Sequence, residues 1–258
     1  MQLTSSRNPL LQSIRRAAAM GRPTEDGLVV AEGPHLLEEA CRGQWHVERI
    51  FVTAEARSRY QTLLQRAAAE IVEVSARAFG PTAATKTPQE VLALLRPRKW
   101  TWLELRREVP LIVVLDRVQD PGNAGAIVRS AHAFGATGIV FLEGSARIAN
   151  GKLLRATAGS IFLMPFLEGV TVPELTHQIR STDLKMYALT SMAAMTIREA
   201  DLTSACVLVV GNEGAGVCKE LLAEAQSLSI PTRGVESLNA AIACSIGLYA
   251  ASERRRKR

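Results

Sequence analysis

Apolar residues recur along this chain in two rhythms. Up to about residue 95, apolar runs at "GLVVAEG" (27–33) and "VERIFVT" (47–53) read as short strands, and "EIVEVSARAFG" (70–80) supplies another. Between them, "GPHLLEEACRG" (33–43) and "SRYQTLLQRAAAE" (58–70) keep the three-to-four spacing of amphipathic helices. From residue 110 the pattern becomes strand, turn, helix. Apolar runs at 111–115, 138–142, 161–166, 185–190, 206–210 and 227–230 are mostly separated by helical stretches, which predicts a parallel sheet covered on both faces. The segment "LLRPRKWTWLELRREVP" (94–110) interrupts both rhythms with prolines and basic residues. The expectation is an α/β protein with a small α/β domain at 1–95, a basic linker at 96–109 and a larger domain at 110–258. Ligands on such parallel sheets bind beyond the carboxyl ends of the strands, so chemistry is sought in the loops there.

Composition narrows the class. With 258 residues, 47% of them hydrophobic, the chain is long enough for a substantial core. No run of 18 apolar residues exists, and "MQLTSSRNPL" lacks the basic-then-apolar layout of an export signal, so a cytoplasmic protein with no membrane span is expected. The longest near-apolar stretch, "LNAAIACSIGLYAA" (238–251), contains Asn239 and Ser245 and reads as a buried helix. The four cysteines form no C-x-x-C pair and the four histidines no ligand pair, so reduced thiols and no metal site are expected. Charge is uneven: residues 1–109 hold 16 basic and 12 acidic side chains, residues 110–253 hold 10 and 13, and the last five residues are "RRRKR". That distribution suits a polyanion-binding front domain and tail beside a separate reaction centre.

Three strand-to-loop junctions in the second domain carry polar and small residues. The first runs from "LIVVL" through "DRVQDPGN" into the helix "AGAIVRSAHAF", with Asn123 where a helix N-cap belongs. Arg129 stands among Ile127, Val128 and Ala131, which implies a buried setting, and a buried guanidinium is costly unless it is paired. The second, "VLVVGNEGAGV" (207–217), has glycines that let backbone turn tightly against a ligand, with Glu213 in the middle. It follows the fifth strand of the domain, too late for a nicotinamide-binding Rossmann oxidoreductase, whose glycine loop follows the first. In the third, Ser237 reads as the N-cap of a long helix rich in small residues, with Asn239 in its first turn.

Together, "NAGAIVRSA" (123–131), "VVGNEGAGV" (209–217) and "IPTRGVESLNAAIA" (230–243) resemble the three signature motifs of the SpoU (TrmH) family of RNA ribose 2'-O-methyltransferases, within the SPOUT superfamily. "TSSRNPLLQSIRRA" and "LVVAEGPHLLEEA" resemble the family's N-terminal substrate-binding extension. Ala240 and Ala241 depart from the common pattern, which carries valine and serine there.

The resemblance implies a parallel sheet flanked by helices with a C-terminal trefoil knot, preceded by a small L30e-like α/β domain. It implies S-adenosyl-L-methionine as cofactor, held by Gly211, Ile230 and Leu238 with Leu189, Thr190, Ser191, Asn212, Gly216 and Asn239. Arg129 is the implied activating residue, with Asn123, Glu213, Ser237 and Asn239 orienting it or the RNA. A homodimer with the active site at its interface is implied as well. The substrate expected is structured RNA, with 23S rRNA favoured over tRNA. The alternatives are a non-catalytic RNA-binding assembly factor of the same fold and a base methylase of related fold. Arg15, Arg16, Arg96, Arg98, Lys99, Arg106 and Arg107 are candidate phosphate contacts, and Trp100 and Trp102 either stack on splayed bases or pack in the protein.

Overall fold

The change of rhythm near residue 100 marks two units, but they do not divide the chain at a single point. In the computed structural model, which describes residues 2–83 and 89–256, one unit comprises the chain up to Lys99 together with Arg147–Leu163. The other comprises Trp100–Ala146 and Met164–Arg256.

The first unit runs β1 (Gln2–Leu3), α1 (Pro9–Met20), β2 (Val29–Glu32), α2 (Pro34–Arg42), β3 (His46–Val52), α3 (Ala54–Arg59), α4 (Gln61–Ala67), β4 (Glu70–Val74), α5 (Ala76–Phe79) and β5 (Val91–Arg96). Its sheet has the order β1-β4-β3-β5-β2, with β5 antiparallel to both neighbours. Asn8 starts α1 by accepting a hydrogen bond from the Leu10 N–H at 3.0 Å, with Pro9 at the first helical position. Leu11, Ile14 and Ala17 then share one helical face and enter a core with Phe51, Val74, Phe79 and Leu92. The expected strand at 70–80 stops at Val74, and the expected helix at 58–70 is two short helices.

The chain continues through α6 (Trp102–Leu105), β6 (Leu111–Asp116), α7 (Pro121–Ala133) and β7 (Gly138–Leu142), all in the second unit. Helix α8 (Gly151–Ala156) belongs to the first unit. β8 (Phe166–Val170), α9 (Val172–Arg180), β9 (Lys185–Leu189), β10 (Cys206–Gly211), α10 (Lys219–Glu224), β11 (Gln226–Leu228) and α11 (Ala240–Arg255) complete the second. Its sheet has the order β11-β9-β10-β6-β7-β8, and every pairing is parallel, as the apolar runs predict.

One predicted strand is displaced. The run 161–166 begins as a single 3-10 turn, Ser160–Phe162, and the strand starts only at Phe166. Phe162 is fully buried and meets Trp45 edge-on with ring centroids 5.0 Å apart, while its carbonyl accepts from the Gln44 N–H at 2.8 Å. The apolar run therefore supplies two cores, which is why residues 147–163 return to the first unit. The linker expected at 96–109 is likewise structured, since Arg96 ends β5 and Trp102–Leu105 is helical.

The basic tail is partly a structural clamp. Arg255 donates to the carbonyls of Leu202, Val109, Pro110 and Ser204 at 2.8, 2.6, 3.0 and 2.7 Å. Arg254 donates to those of Ala200, Ile197 and Arg198 at 2.5, 3.1 and 2.8 Å. These guanidiniums close the end of α11 onto the segment leading into β10, so they are not free for a polyanion; Lys257 and Arg258 lie outside the described residues. The four cysteines are free thiols, and burial pushes Cys244 up to about 12.

Candidate active site at the sheet's reversal point

β6 and β10 are parallel neighbours with Asp116 opposite Gly211, so the loops after both strands leave the sheet side by side. β7 and β8 lie on one side of β6, whereas β10, β9 and β11 lie on the other. The strand order reverses here, the position where open parallel sheets form their binding crevice.

Asp116, 1% exposed, ties the two loops together. Its carboxylate accepts from the Cys218 N–H at 2.6 Å and from Arg117 Nε at 2.9 Å. The Arg117 backbone is in the left-handed region, φ 56°, a conformation that persists only where neighbours enforce it. Here Asp116 holds the guanidinium, and the Arg117 carbonyl accepts from Asn212 Nδ2 at 2.9 Å. The hydrogen bond and the charge of Asp116 both raise the pKa of Arg117.

Asn212 also shapes the turn that follows. Its Oδ1 accepts from the N–H groups of Gly214 and Ala215, each at 3.0 Å, and its backbone exchanges two hydrogen bonds with Gly216 at 3.1 and 2.9 Å. A Cβ at Gly211 would lie 2.2 Å from both Gly216 C and Val217 N, so the loop folds back against β10 only because that residue is glycine. Glu213 is thereby presented, exposed, at the tip.

Two other elements reach this tip. From α7, Asn123 Nδ2 donates to Glu213 Oε1 at 2.8 Å, and from the start of α11, Asn239 Nδ2 donates to Asn123 Oδ1 at 3.1 Å. The caps differ from the sequence expectation. Asp120 caps α7, accepting from the Asn123 N–H at 2.8 Å, so Asn123 sits inside the first turn and its side chain turns to Glu213. The Asp-Pro pair at 120–121 is the signal for that cap, since proline suits the first helical position. Asn239, not Ser237, caps α11, its Oδ1 accepting from Ala241 and Ile242 N–H at 2.9 and 3.3 Å.

A cavity of about 490 Å³ lies beside this chain of hydrogen bonds. Leu189, Thr190 and Ser191 line it after β9, Gly211, Asn212, Glu213 and Gly216 after β10, and Ile230, Ser237, Leu238 and Asn239 before α11. Val210, Val217 and Leu228 add apolar wall, and Thr232 and Glu236 line it in addition to the residues expected from the motifs.

Arg129 is elsewhere. The buried face of α7 is Ala124, Ile127, Val128 and Ala131, and Arg129 lies off it, exposed and with no hydrogen bond or ion pair among the described residues. Its sequence neighbours are buried, but helical rotation turns it away from them. It stands six residues beyond Asn123, roughly 9 Å along the helix axis. Ala126, three residues earlier on the same face, borders a shallow apolar depression shared with Phe134, Ile242, Ile246 and Tyr249. Tyr249 is 53% exposed there and packs edge-on against Phe134 at 5.7 Å.

The candidate RNA contacts divide. Arg15, Arg16 and Lys99 are exposed. Arg96 pairs with Glu48 at 3.1 Å, Arg107 with Glu104 at 3.7 Å, Arg98 donates to Gln44, and Arg106 donates to Gln178 at 2.9 Å. Trp100 is buried and Trp102 half-buried, so Trp100 presents no stacking face.

Known proteins share this fold. Residues 110–249 match the model of the SpoU rRNA Methylase family, and residues 12–93 match that of the MRM3-like substrate binding domain. The chain is 31% identical, over 96% of its length and 98% of the relative's, to the 23S rRNA (guanosine(2553)-2'-O)-methyltransferase RlmP of Bacillus subtilis (strain 168). It superposes with a TM-score of 0.85 on the AdoMet-bound rRNA methyltransferase from Sinorhizobium meliloti, at 27% identity and 98% coverage of each chain. The fold is also that of the SpoU methyltransferase AviRb from Streptomyces viridochromogenes, with a TM-score of 0.87.

Proposed function

The chain belongs to the SpoU rRNA methylase family, and on that premise we propose that it transfers a methyl group from S-adenosyl-L-methionine to a ribose 2'-hydroxyl of 23S rRNA. The observation that carries this reading is the hydrogen-bonded line from Asn239 through Asn123 to Glu213 beside a cavity at the sheet's reversal point.

The cavity suits that cofactor. Its volume of about 490 Å³ falls within the ~300–1,000 Å³ of small-molecule sites, and it combines apolar walls with tightly turned backbone. Bound there, the cofactor supplies an electrophilic methyl group on a sulfonium. Leu189, Ile230 and Leu238 offer apolar contact, and Thr190, Ser191, Asn212 and Asn239 offer polar groups. Gly211 and Gly216 keep the turn narrow, and Ser237 at the rim orients the ribose.

Asn123 and Asn239 hold the Glu213 carboxylate in one orientation. Arg129 grips a substrate phosphate through its guanidinium and stabilises the negative charge developing on the 2'-oxygen. Its distance from the cavity in one chain is met by a homodimer joined through the apolar depression beside it, so that the active site lies at the interface. Exposed Ile242 and Tyr249 support that surface.

A trefoil knot in the second unit and an L30e-like first unit complete the reading. Support for the knot comes from one loop that touches both the chain leaving β11 and the end of the last helix. Ser229 and Ile197 N–H groups donate to Met195 and Ser229 carbonyls at 3.0 and 2.8 Å just after β11, and Arg254 grips Ile197, Arg198 and Ala200 at the end of α11. No helix among the described residues is long and apolar enough to cross a membrane, and we assign the activity to the cytoplasm with its RNA.

The test is incubation with methyl-labelled S-adenosyl-L-methionine and either 23S rRNA or bulk tRNA, followed by alkaline hydrolysis. Label in hydrolysis-resistant dinucleotides from 23S rRNA is expected. Label only in tRNA, or only on bases, replaces the substrate, and no transfer at all leaves an RNA-binding assembly factor.

A further inference from the structure

Two stretches of the first unit carry basic residues and no acidic ones. Residues 2–24 contain Arg7, Arg15, Arg16 and Arg22, and residues 147–163 contain Arg147, Lys152 and Arg155. These seven cations compare with a formal net charge of +6 for the whole chain, so the rest of the molecule is close to neutral.

The two stretches meet. Gly21 ends α1 with φ 58°, and a Cβ on it would lie 3.1 Å from Asn150 Nδ2 and 3.4 Å from Asn150 Cα. Asn150 is the N-cap of α8, accepting from Lys152 and Leu153 N–H at 2.9 and 3.3 Å. Leu153 and Leu154 anchor α8 in the interior, and Arg147 and Arg155, which flank Asn150 in sequence, are exposed, as is Arg22, which follows Gly21.

Five other arginines of the unit are paired with glutamates, whereas Arg66 on α4 and Arg77 on α5 are exposed without a carboxylate partner among the described residues, as are those of the two stretches. On α2, α3, β3 and β5, Arg42, Arg49, Arg57, Arg59 and Arg96 are each within 3.3 Å of a glutamate. Arg7, Arg15, Arg16, Arg22, Arg147 and Arg155 have no carboxylate partner among the described residues, and all six are exposed. Unpaired, exposed guanidiniums concentrated on two touching, acid-free stretches are suited to phosphate oxygens, which arginine binds with paired N–H donors.

We propose that α8 and the turn before it, which lie inside the methylase-matched part of the sequence, form with α1 a single phosphate-binding surface for the substrate RNA. This rests on the proposed function and extends the expected contacts, Arg15 and Arg16, to Arg22, Arg147 and Arg155. Each stretch contributes cations the other lacks, and the Gly21–Asn150 contact sets their spacing. The return of residues 147–163 to the first unit thereby has a functional consequence: sequence adjoining the active-site strands helps to hold the RNA.

The experiment compares the wild type with Arg147→Glu/Arg155→Glu, with the milder Arg147→Gln/Arg155→Gln, and with a charge-matched control, Arg57→Gln/Arg59→Gln. Binding of transcribed 23S rRNA is titrated at several salt concentrations, S-adenosyl-L-methionine binding is measured by calorimetry, and KM for RNA is separated from kcat. For the glutamate pair, at least about tenfold weaker RNA binding is expected, with the log–log salt slope shallower by roughly 1.5, since each phosphate left without its cation takes about 0.7–0.9 from the slope. The glutamine pair should fall between it and the wild type, the control should match the wild type, and cofactor affinity should be unchanged throughout. Unchanged RNA affinity and slope in both Arg147/Arg155 variants overturns the inference and leaves the surface to an acidic protein. An equal loss in the control also overturns it, because it makes the effect one of total charge. A wild type that neither binds nor methylates 23S rRNA refutes instead the function on which this inference rests.

Discussion

Asn123 Nδ2 lies 2.8 Å from Glu213 Oε1, across 90 residues of sequence, and it is this bond that turns two separate loops into one site. Asn239 Nδ2 adds a third loop at 3.1 Å. Replacing Asn123 by aspartate sets a second carboxylate against Glu213 in place of a donor. Turnover is expected to fall at least about tenfold, since hydrogen bonds to charged groups contribute ~1.5–3 kcal/mol. The melting temperature should stay within about 2 °C, because the pair is exposed and surface substitutions usually change stability little. Steady-state methyl transfer beside a thermal melt checks both.

Gly211→Ala tests the turn. The new Cβ meets backbone atoms of Gly216 and Val217 at 2.2 Å, and neither atom can swing aside as a flexible side chain would. The loop must open, so cofactor affinity should drop at least about tenfold and stability by ~1–3 kcal/mol, the usual range for overpacking. Normal calorimetric binding by this variant would contradict the assignment of the cavity.

Arg129 is exposed and unpartnered among the described residues, so its removal should cost the fold less than about 0.5 kcal/mol. Arg129→Lys keeps a positive charge and is expected to retain more turnover than Arg129→Ala. Equal, near-complete loss in both variants with RNA binding intact would count against an electrostatic role and favour proton abstraction.

Arg255→Ala removes the guanidinium donor from the carbonyls of Val109, Leu202 and Ser204, while the Pro110 carbonyl keeps the Cys206 N–H at 3.0 Å. A loss of ~3 kcal/mol is expected from charged hydrogen bonds of this kind. At ~2–4 °C per kcal/mol for a chain of this size, that lowers the melting temperature by about 6–12 °C. Arg256→Ala, whose side chain is 73% exposed and 3.7 Å from Glu253, should change it by less than about 2 °C. A similar small effect for both would mean that the clamp does not hold the tail.

Asp201 accepts hydrogen bonds from Lys185 Nζ, Ser204 Oγ and Thr203 Oγ1 at 2.7, 2.6 and 2.7 Å, which hold its carboxyl well below the usual range, Lys185 most strongly. Its folded pKa lies below the unfolded value of ~3.9. The stabilisation is therefore fully present above about pH 4 and is lost as pH falls through the folded value. Asp201→Asn should be less stable than the wild type at pH 7, with the gap narrowing by pH 3. Urea midpoints at the two pH values measure the gap, and a constant difference would refute the coupling.

By itself the sequence determined the sheet of the second unit and the three loops that carry its polar residues. Strand runs such as 111–115 and 206–210 are legible because burial on both faces makes them continuously apolar. It also marked about half of the residues lining the cavity, through motif resemblance and not through geometry. Only the tertiary structure decided which side chains meet. Asn123 and Ser237 look like caps but are not, because several polar residues compete for each helix start, and local sequence does not say which one accepts the helix N–H. The chain neighbours of Arg129 suggest burial, whereas exposure depends on rotation about a helix packed on one face. The return of residues 147–163 to the first unit and the Arg255 clamp are hidden for the same reason. An apolar run or an arginine records what kind of partner it requires, and the partner's identity is set by contacts dozens of residues away.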